Sequence, residues 1–598
     1  MAREPAVAGR NPWLLPFSLA VACLAGSLVA LAVVLFDAIS DGETNQPGAS
    51  AEGNSQTPTT DVSPGLTYAG TLPAGAAGLG MRPVAEGKTP DIEFASIGPA
   101  EDEVPVRYLV PVASLGAGVD SLTSEQLRSL LRGETTDWSA VGGIRGAVHP
   151  AMVDSPATRA IAEWVFAGQQ GGGFANVAAA TSYDALRASM TVDSSIVAIV
   201  PIEELRPNMV AIAIDGMDIA RGVGDPAAWP LTERLAVIGR TGKGKSALEP
   251  VRSAVAAKLP AITRVVATGD VLQSRCSLAA IEATGDWAAA LRGPVAEYLA
   301  GADLALSSLD GSIQGIGAPF LCVVQEYPNL TSPPEVIEAL TLAGIDEMTL
   351  ATNRAFDCGL AACGAKALLE SQSRLNAAGI KTVGGGKDLE DALAPAVFEV
   401  NGIRIGVLGF DDIAAEDLEA TDTEPGTAPL DDSYANERAD LPREPAFYKP
   451  ASLLGLERFQ QRIRDLKSKV DVVIVQVQSG TEDTHAPSPR SIKALRAAAD
   501  AGADLVVGNQ AHWVQAIEVR NDRFVAYALG NFIFDQTHTP EHTQGYLLEA
   551  TFHDKRLATV RMVPYQIENK YKPAFVTGAT RAKVLGDVID ASGDLPAP

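Results

Sequence analysis

Histidine is scarce in this chain of 598 residues, which carries six. Chemistry built on clustered imidazoles is limited from the start. Cysteine is scarcer still, at five. Cys23 lies in an apolar run. Cys276, Cys322, Cys358 and Cys363 are scattered without a CxxC, so zinc-finger spacing is absent. One disulfide such as Cys276–Cys322 is compatible with the sequence, but isolated buried thiols are the expectation, because free cysteine is commonly buried. Positive charge is also short. Against 73 Asp and Glu stand 47 Lys and Arg, a net charge of −26. Nucleic acid and anionic lipid surfaces need clustered Lys and Arg, so neither is expected as a partner.

What is present is ample apolar content, 46% of residues. The length predicts two to four domains. Residues 1–12 carry Arg3 and Arg10 and read as a cytoplasmic tail. Trp13–Phe36 is then an apolar run without charge, roughly 36 Å long as a helix, enough to cross a bilayer. It exceeds a secretory h-region and no clean A-x-A site follows. Arginines precede it and Asp37, Asp41 and Glu43 follow. The positive-inside rule then predicts a single-pass anchor with the bulk of the chain extracytoplasmic. Residues 37–65, rich in Gly, Ser, Thr, Pro, Gln and Asn, cannot bury a core and read as a disordered tether.

From 66 to 250 the pattern is αβ. Val106–Val112, Ile196–Val200 and Met209–Ile214 read as strands. Ser121–Gly133 reads as a helix with Leu122, Leu127, Leu130 and Leu131 on one face. Thr123 and Gln126 form a predicted capping box. The stretch GVDSLTSEQLRSLLRGETTDWSAVGG (Gly118–Gly143) resembles a segment of periplasmic phosphate-binding proteins of ABC importers. Val153–Phe166 and Trp229–Ile238 resemble two further segments of that family. The resemblance implies a type II binding-protein-like domain in which Ser155, Thr158 and Arg159 hold an oxyanion at a helix N-terminus. Pro156 and Ala157 depart from the family's turn, and Pro156 removes one donor.

Gly239–Ser246 matches G-x-x-x-x-G-K-[ST] after an apolar run and before a helical one. No matching nucleotide-fold repeat follows. The expectation is a Gly/Lys-rich loop between a strand and a linker helix.

From 261 to 598 strands and helices alternate. Thr263–Val271 ends in Gly269-Asp270, and Gly301–Gly311 in Asp310. Gly344–Gly359 carries Asn353-Arg354, and Asn401–Phe410 reads as a hairpin arm. Val472–Val477, Leu505–Val507 and Phe524–Leu529 each stop in a polar loop holding Gly, Asn, Gln or His. Tyr546–Phe552 and Leu557–Pro564 close the domain. Apolar strands ending in such loops present polar groups at one sheet edge.

These landmarks, in order, are Gly269-Asp270, Ser308-Leu309-Asp310, Thr352–Gly359, Gln478–Asp483, Gly508–Gln515 and Ala528–Gln536. They resemble the CapA family of capsule and poly-γ-glutamate synthesis proteins. The resemblance implies a four-layer α/β/β/α metallophosphatase-like domain. It also implies a role in the synthesis, export or retention of an anionic envelope polymer, with capsule-synthesis membrane proteins as partners. The family's metal set maps onto Asp270, Asp310, Asn353 and His512. Arg354 stands where the family has one histidine, Gln478 where it has another, and Asn509 or Gln510 where it has a third. A dinuclear centre is therefore not expected, because amides are weak ligands and a guanidinium repels metal.

A single divalent ion on Asp270, Asp310, Asn353 and His512 is the remaining metal reading, beside a residual hydrolase. The metal-free reading has Arg354 binding a carboxylate or phosphate bidentately. Another has Arg354 paired with Asp270 or Asp310. Glu482 is a general acid/base candidate. Gln478, Gln510 and Asn531 are candidate ligand-binding residues, and Asp535-Gln536 fixes the loop after the last strand. His485, His538, His542 and His553 read as surface or loop residues.

Overall fold

The computed structural model describes residues 65–96, 102–167, 174, 177–316, 322, 330–358, 363–414, 418–431 and 455–597. The expected anchor 13–36 and nearly all of the tether lie outside them. Among the described residues no helix is long and apolar enough to cross a membrane.

The first lobe is built on a sheet of strand order Arg82–Pro83, Thr67–Ala69, Ile92–Ala95, Thr232–Gly239, Glu103–Ser114, Ile196–Pro201, His149–Val153, Ala178–Ala180. Glu103–Ser114 is its spine. Residues 103–108 pair with the antiparallel Thr232–Gly239 strand, and residues 109–114 pair with Ile196–Pro201 and Met209–Ala211. The spine thus joins two cores. One holds Leu66, Ile92, Phe94, Val237 and Val251. The other holds Leu109, Leu127, Leu130, Trp138, Ile161 and Val200. The predicted helix forms as Ser124–Leu131, and the Thr123/Gln126 capping box closes in both directions. The expected strand Met209–Ile214 is instead two short ones, Met209–Ala211 and Ala213–Ile214, in different sheets.

The Gly239–Ser246 loop is not open to a ligand. Its backbone lies against Asp91, whose carbonyl oxygen would stand 1.8 Å from any Cβ at position 244. Thr241 donates to the Asp91 carboxylate and accepts from the Gly244 amide. The amides that would cradle phosphate serve a helix cap instead.

The second lobe stacks two sheets. The larger runs Lys381–Val383, Glu347–Thr349, Leu304–Leu309, Ile262–Val271, Gln544–His553, Arg556–Glu568, Lys572–Phe575. The smaller runs Ala396–Val400, Ile403–Asp411, Val472–Gln478, Leu505–Asn509, Arg523–Ala526, Ile517–Arg520. One apolar core draws on both sheets: Val265, Leu306 and Leu548 from the first, Ile405, Ile474 and Val507 from the second. Helices cover each outer face, with Leu278, Leu299 and Leu368 on one side and Phe459, Ile463 and Leu495 on the other. Strands buried on both faces explain why Val472–Gln478 reads as an unbroken apolar run rather than an alternating one.

The strand expected over Phe524–Leu529 ends at Ala526, and a separate strand follows from Asn531. Arg523–Ala526 lies in the smaller sheet, and Asn531–Ile533 pairs with Ile262–Val271 in the larger. The chain changes sheets through Gly530, at φ 81°. A side chain at the facing Gly269 would meet the Gly530 carbonyl at 1.7 Å, so these two glycines let the sheets close on each other.

A polar seam joins the lobes. Glu549 is fully buried and accepts from both nitrogens of the Arg221 fork, from Arg264 at 2.9 Å and from the Tyr298 hydroxyl at 2.5 Å. Arg561 reaches Asp218 at 2.9 Å, and Thr559 donates to the Met209 carbonyl at 2.7 Å. His553 is buried here and donates to the Ala220 carbonyl at 2.7 Å, so it is no surface residue.

The cysteines also depart from expectation. Cys276 is bonded to Cys322, and Cys358 to Cys363. Scattered positions in the sequence conceal that strand-end loops bring the partners together.

Candidate functional site

Three adjacent parallel strands of the larger sheet end side by side. Ile262–Val271 carries Asp270 at its end, Leu304–Leu309 leads into Asp310, and Glu347–Thr349 leads into Asn353. In the smaller sheet, Val472–Gln478 leads to Glu482, and its parallel neighbour Leu505–Asn509 leads to Gln510 and His512. Both sheets aim these ends at one cavity of about 110 Å³. Its walls are Asp310, Asn353, Arg354, Glu482, Gln510 and His512, with Arg275, Leu330, Phe534 and Gln536. Asp270 lies against it, 3.7 Å from His512 Nδ1.

The backbone is bent to build this wall. Arg275, Asp483, Gln510 and His512 all take positive φ, at 49°, 60°, 98° and 57°. Residues held in that region cluster at functional sites, where packing over-determines them.

The deep part is anionic and sealed. Asp270 and Asp310 are 1% and 2% exposed. Burial, and after it the like charge of Asp310, raises the Asp270 carboxyl well above the ordinary range. Burial alone would lower the His512 imidazole, but the charges of Asp310 and Asp270 outweigh it and raise His512. His512 Nδ1 lies 2.8 Å from Asn531 Oδ1, while Asn531 Nδ2 donates to Gln536 and to the His542 carbonyl. Asn531 Oδ1 is therefore an acceptor, His512 Nδ1 carries a proton, and Nε2 is the atom left for a ligand.

Among the buried oxygens without a hydrogen-bond partner, three stand at these strand ends: Asp270 Oδ1, Asp310 Oδ1 and Asn353 Oδ1. Such groups are costly to leave unpaired. With the His512 imidazole they are donors of the type a divalent ion takes. Among the described residues, however, Asp270, Asp310 and His512 do not close into a group with donor atoms within 4.8 Å of one another. The places where a second ion would need imidazoles hold Gln478, Gln510 and Arg354.

The shallow part is cationic. Arg275 and Arg354 remain partly exposed, at 17% and 31% of their side chains. Arg275 pairs with Asp535, which also accepts from the Cys276 amide. Arg354 lies 4.0 Å from Asp357, not against Asp270 or Asp310. Asp357 is raised to about 6, first by burial.

Gln478 does not line the cavity. It donates to Gln510 Oε1 at 3.0 Å, and Gln510 donates to Glu482 at 3.0 Å, so a chain of amides aims Glu482. Asn531 stands behind His512 in the same way. Sequence reasoning did not single out Arg275. Its signal was only proximity to Asp270, since no spacing pattern marks a lone arginine after a strand.

Of the oxyanion candidates of the first lobe, Ser155 and Thr158 meet in one turn, where their hydroxyls are already engaged. Ser155 Oγ accepts from Tyr183, the Ser155 amide donates to Thr158 Oγ1, and Thr158 donates to the Val153 carbonyl. Only Arg159 faces the nearby cleft of about 520 Å³, which Glu103, Glu163, Glu203 and Glu233 also line. Arg159 is itself paired with Glu163 at 2.7 Å.

Residues 264–536 match the family described as Bacterial capsule synthesis protein PGA_cap. The match covers this segment and leaves the first lobe outside it. Among curated relatives, the capsule biosynthesis protein CapA of Bacillus anthracis is 28% identical over 251 residues, 42% of this chain and 54% of that protein. The PGA biosynthesis protein CapA of Bacillus subtilis is 31% identical over 209 residues, 35% of this chain and 47% of that protein. The chain thus spans about half the length of the curated relatives it matches. Among solved structures, an ABC-type phosphate transport receptor from Vibrio cholerae is similar at 15% identity and a TM-score of 0.24, over 27% of this chain and 74% of that one. All six lining residues expected from the sequence fall inside the PGA_cap segment.

Proposed function

We propose that the protein serves, outside the membrane, in the assembly, export or retention of an anionic capsule polymer of the poly-γ-glutamate kind. A carboxylate of the polymer binds in the pocket of the PGA_cap domain. The observation that carries this reading is the meeting of Arg275 and Arg354 with Asp310, Glu482 and His512 in one small cavity. Guanidinium is the side chain suited to bidentate carboxylate recognition, and both forks sit at the accessible side. The names of the curated relatives support the polymer class. Two disulfides suit an oxidising compartment, in line with an anchor at 13–36 and an extracytoplasmic bulk.

The residues divide the work by depth. The arginines at the mouth orient the incoming carboxylate. Glu482, held by Gln510, is placed to take or return a proton at the mouth. His512 offers Nε2 because Asn531 fixes its Nδ1 proton. A divalent ion on Asp270, Asp310, Asn353 and His512 would supply positive charge beneath the bound group. The partnerless oxygens favour, as a second reading, a residual metal-dependent hydrolase on this same metallophosphatase-like frame.

Calorimetry of the full-length chain with oligo-γ-glutamate tests the first reading. Binding should weaken by about tenfold or more in Arg354→Gln and Arg275→Gln. No heat with the wild type would sink it. A γ-glutamyl hydrolase assay tests the second, which stands only if turnover appears with Mg²⁺ or Mn²⁺ and vanishes in Asp270→Asn.

A further inference from the structure

Beside the pocket, and not part of it, three side chains converge: Asp483, His538 and His542, each with one donor atom within 4.8 Å of the others'. We infer that they form a separate binding site for a borderline transition-metal dication of the Zn²⁺ class. The donor set is two imidazoles and one carboxylate, which suits Zn²⁺ and its neighbours rather than Mg²⁺ or Ca²⁺.

The site is built from the same loops as the pocket. Asp483 follows Glu482, and its amide donates to the Ala511 carbonyl at 3.0 Å. His538 lies two residues beyond Gln536. His542 is 1% exposed, and its ring lies 4.0 Å from that of His538, centroid to centroid. Asp483 and His538 are exposed, so the third face stays open to solvent and a metal can enter.

The hydrogen bonds define how the site works. His542 Nε2 is 2.6 Å from Asp483 Oδ1. Its Nδ1 lies 2.8 Å from the Thr539 hydroxyl and accepts from the Trp513 indole at 3.2 Å. Indole is a donor only, so without metal Nε2 carries the proton and donates to Asp483. A metal between Nε2 and Asp483 needs the other tautomer, with Nδ1–H donating to Thr539 Oγ1. That hydroxyl is the outer-shell partner that metal-bound imidazoles usually have. The Trp513 indole then loses its acceptor and must shift. Occupancy thus ties together the loops bearing Glu482, His512 and Gln536, and Trp513 reports it. The site does not depend on what the pocket binds.

The test is a Zn²⁺ titration of the purified full-length chain, followed by tryptophan emission and by metal analysis. Zn²⁺ should change the emission where Mg²⁺ does not, and Trp513→Phe should remove the change. Affinity should fall about tenfold or more in His538→Ala and in Asp483→Asn, both exposed positions whose folding is checked by circular dichroism. Asp270→Asn should leave it unchanged, which separates this site from the pocket. Equal Zn²⁺ affinity in wild type, His538→Ala and Asp483→Asn would overturn the inference, as would no Zn²⁺ bound by the wild type.

Discussion

The backbone N–H of Gln510 points at Asp270 Oδ2, 3.3 Å away, from a left-handed φ of 98°. The same residue accepts from Gln478 and donates to Glu482 through its side chain. Gln510→Ala keeps the backbone contact but leaves the Gln478 amide without its acceptor. We expect a loss of about 1–3 kcal/mol, read from urea unfolding, because a buried donor goes unpaired. Carboxylate binding should weaken with it. Unchanged unfolding would show that this amide chain does not hold the loop.

Asp270 makes the metal-free protein less stable than it need be. Its carboxyl is pushed up to about 7, first by burial and then by the like charge of Asp310. Folding therefore favours the protonated form, and that contribution is lost as pH rises through about 7. With chelator present at pH 8, Asp270→Asn should raise the melting temperature, in step with a stability gain on the order of 1–3 kcal/mol. It should also abolish divalent binding in the pocket. A lower melting temperature in chelator at pH 8 would refute the account.

Glu549 has the opposite sign. Burial alone would raise it, but the hydrogen bonds and charge of Arg221, and then Arg264, hold it at about 2, well below the ordinary carboxylate range. Its contribution is present above about 4.5 and is lost as pH falls toward about 2. The amount is on the order of 3 kcal/mol. Glu549→Gln should flatten the acid limb of a stability–pH curve measured by denaturant midpoint. An equally steep limb in the variant would place the acid sensitivity elsewhere.

Reduction should be costly. Cys276–Cys322 closes a span of 46 residues beside Arg275. Cys276→Ala with Cys322→Ala should lose about 2–4 kcal/mol, read by calorimetry. An unchanged melting temperature would mean that the bond constrains little of the unfolded chain.

The pocket was legible because its residues sit where parallel strands end, and such ends are marked by an apolar run followed by Asp, Asn or His. That rule marks Asp270, Asp310, Asn353 and His512, while Glu482 and Gln510 come from the resemblance to the CapA family. The capping box at Thr123 was legible for a similar reason, since both halves lie within one turn. What was not legible depends on contacts distant in sequence. Arg354 lies beside Asp357, three residues on, with its side chain 31% exposed, rather than against a deeper carboxylate. Ser155 and Thr158 kept the family's residue types, but their hydroxyls are spent within the turn and on Tyr183. His542 reads as a loop residue because Pro540 and Thr539 flank it, yet Trp513 and Asn531, from other loops, cover it.

The Gln544–His553 strand has one end beside Asn531 at the pocket and the other in the seam, where His553 meets Ala220. Ten residues of extended chain span roughly 30 Å. The protein is in this respect a ruler. Whatever the first lobe touches is held at a set stand-off from the cavity, because one strand carries both the seam and the backbone behind Asn531.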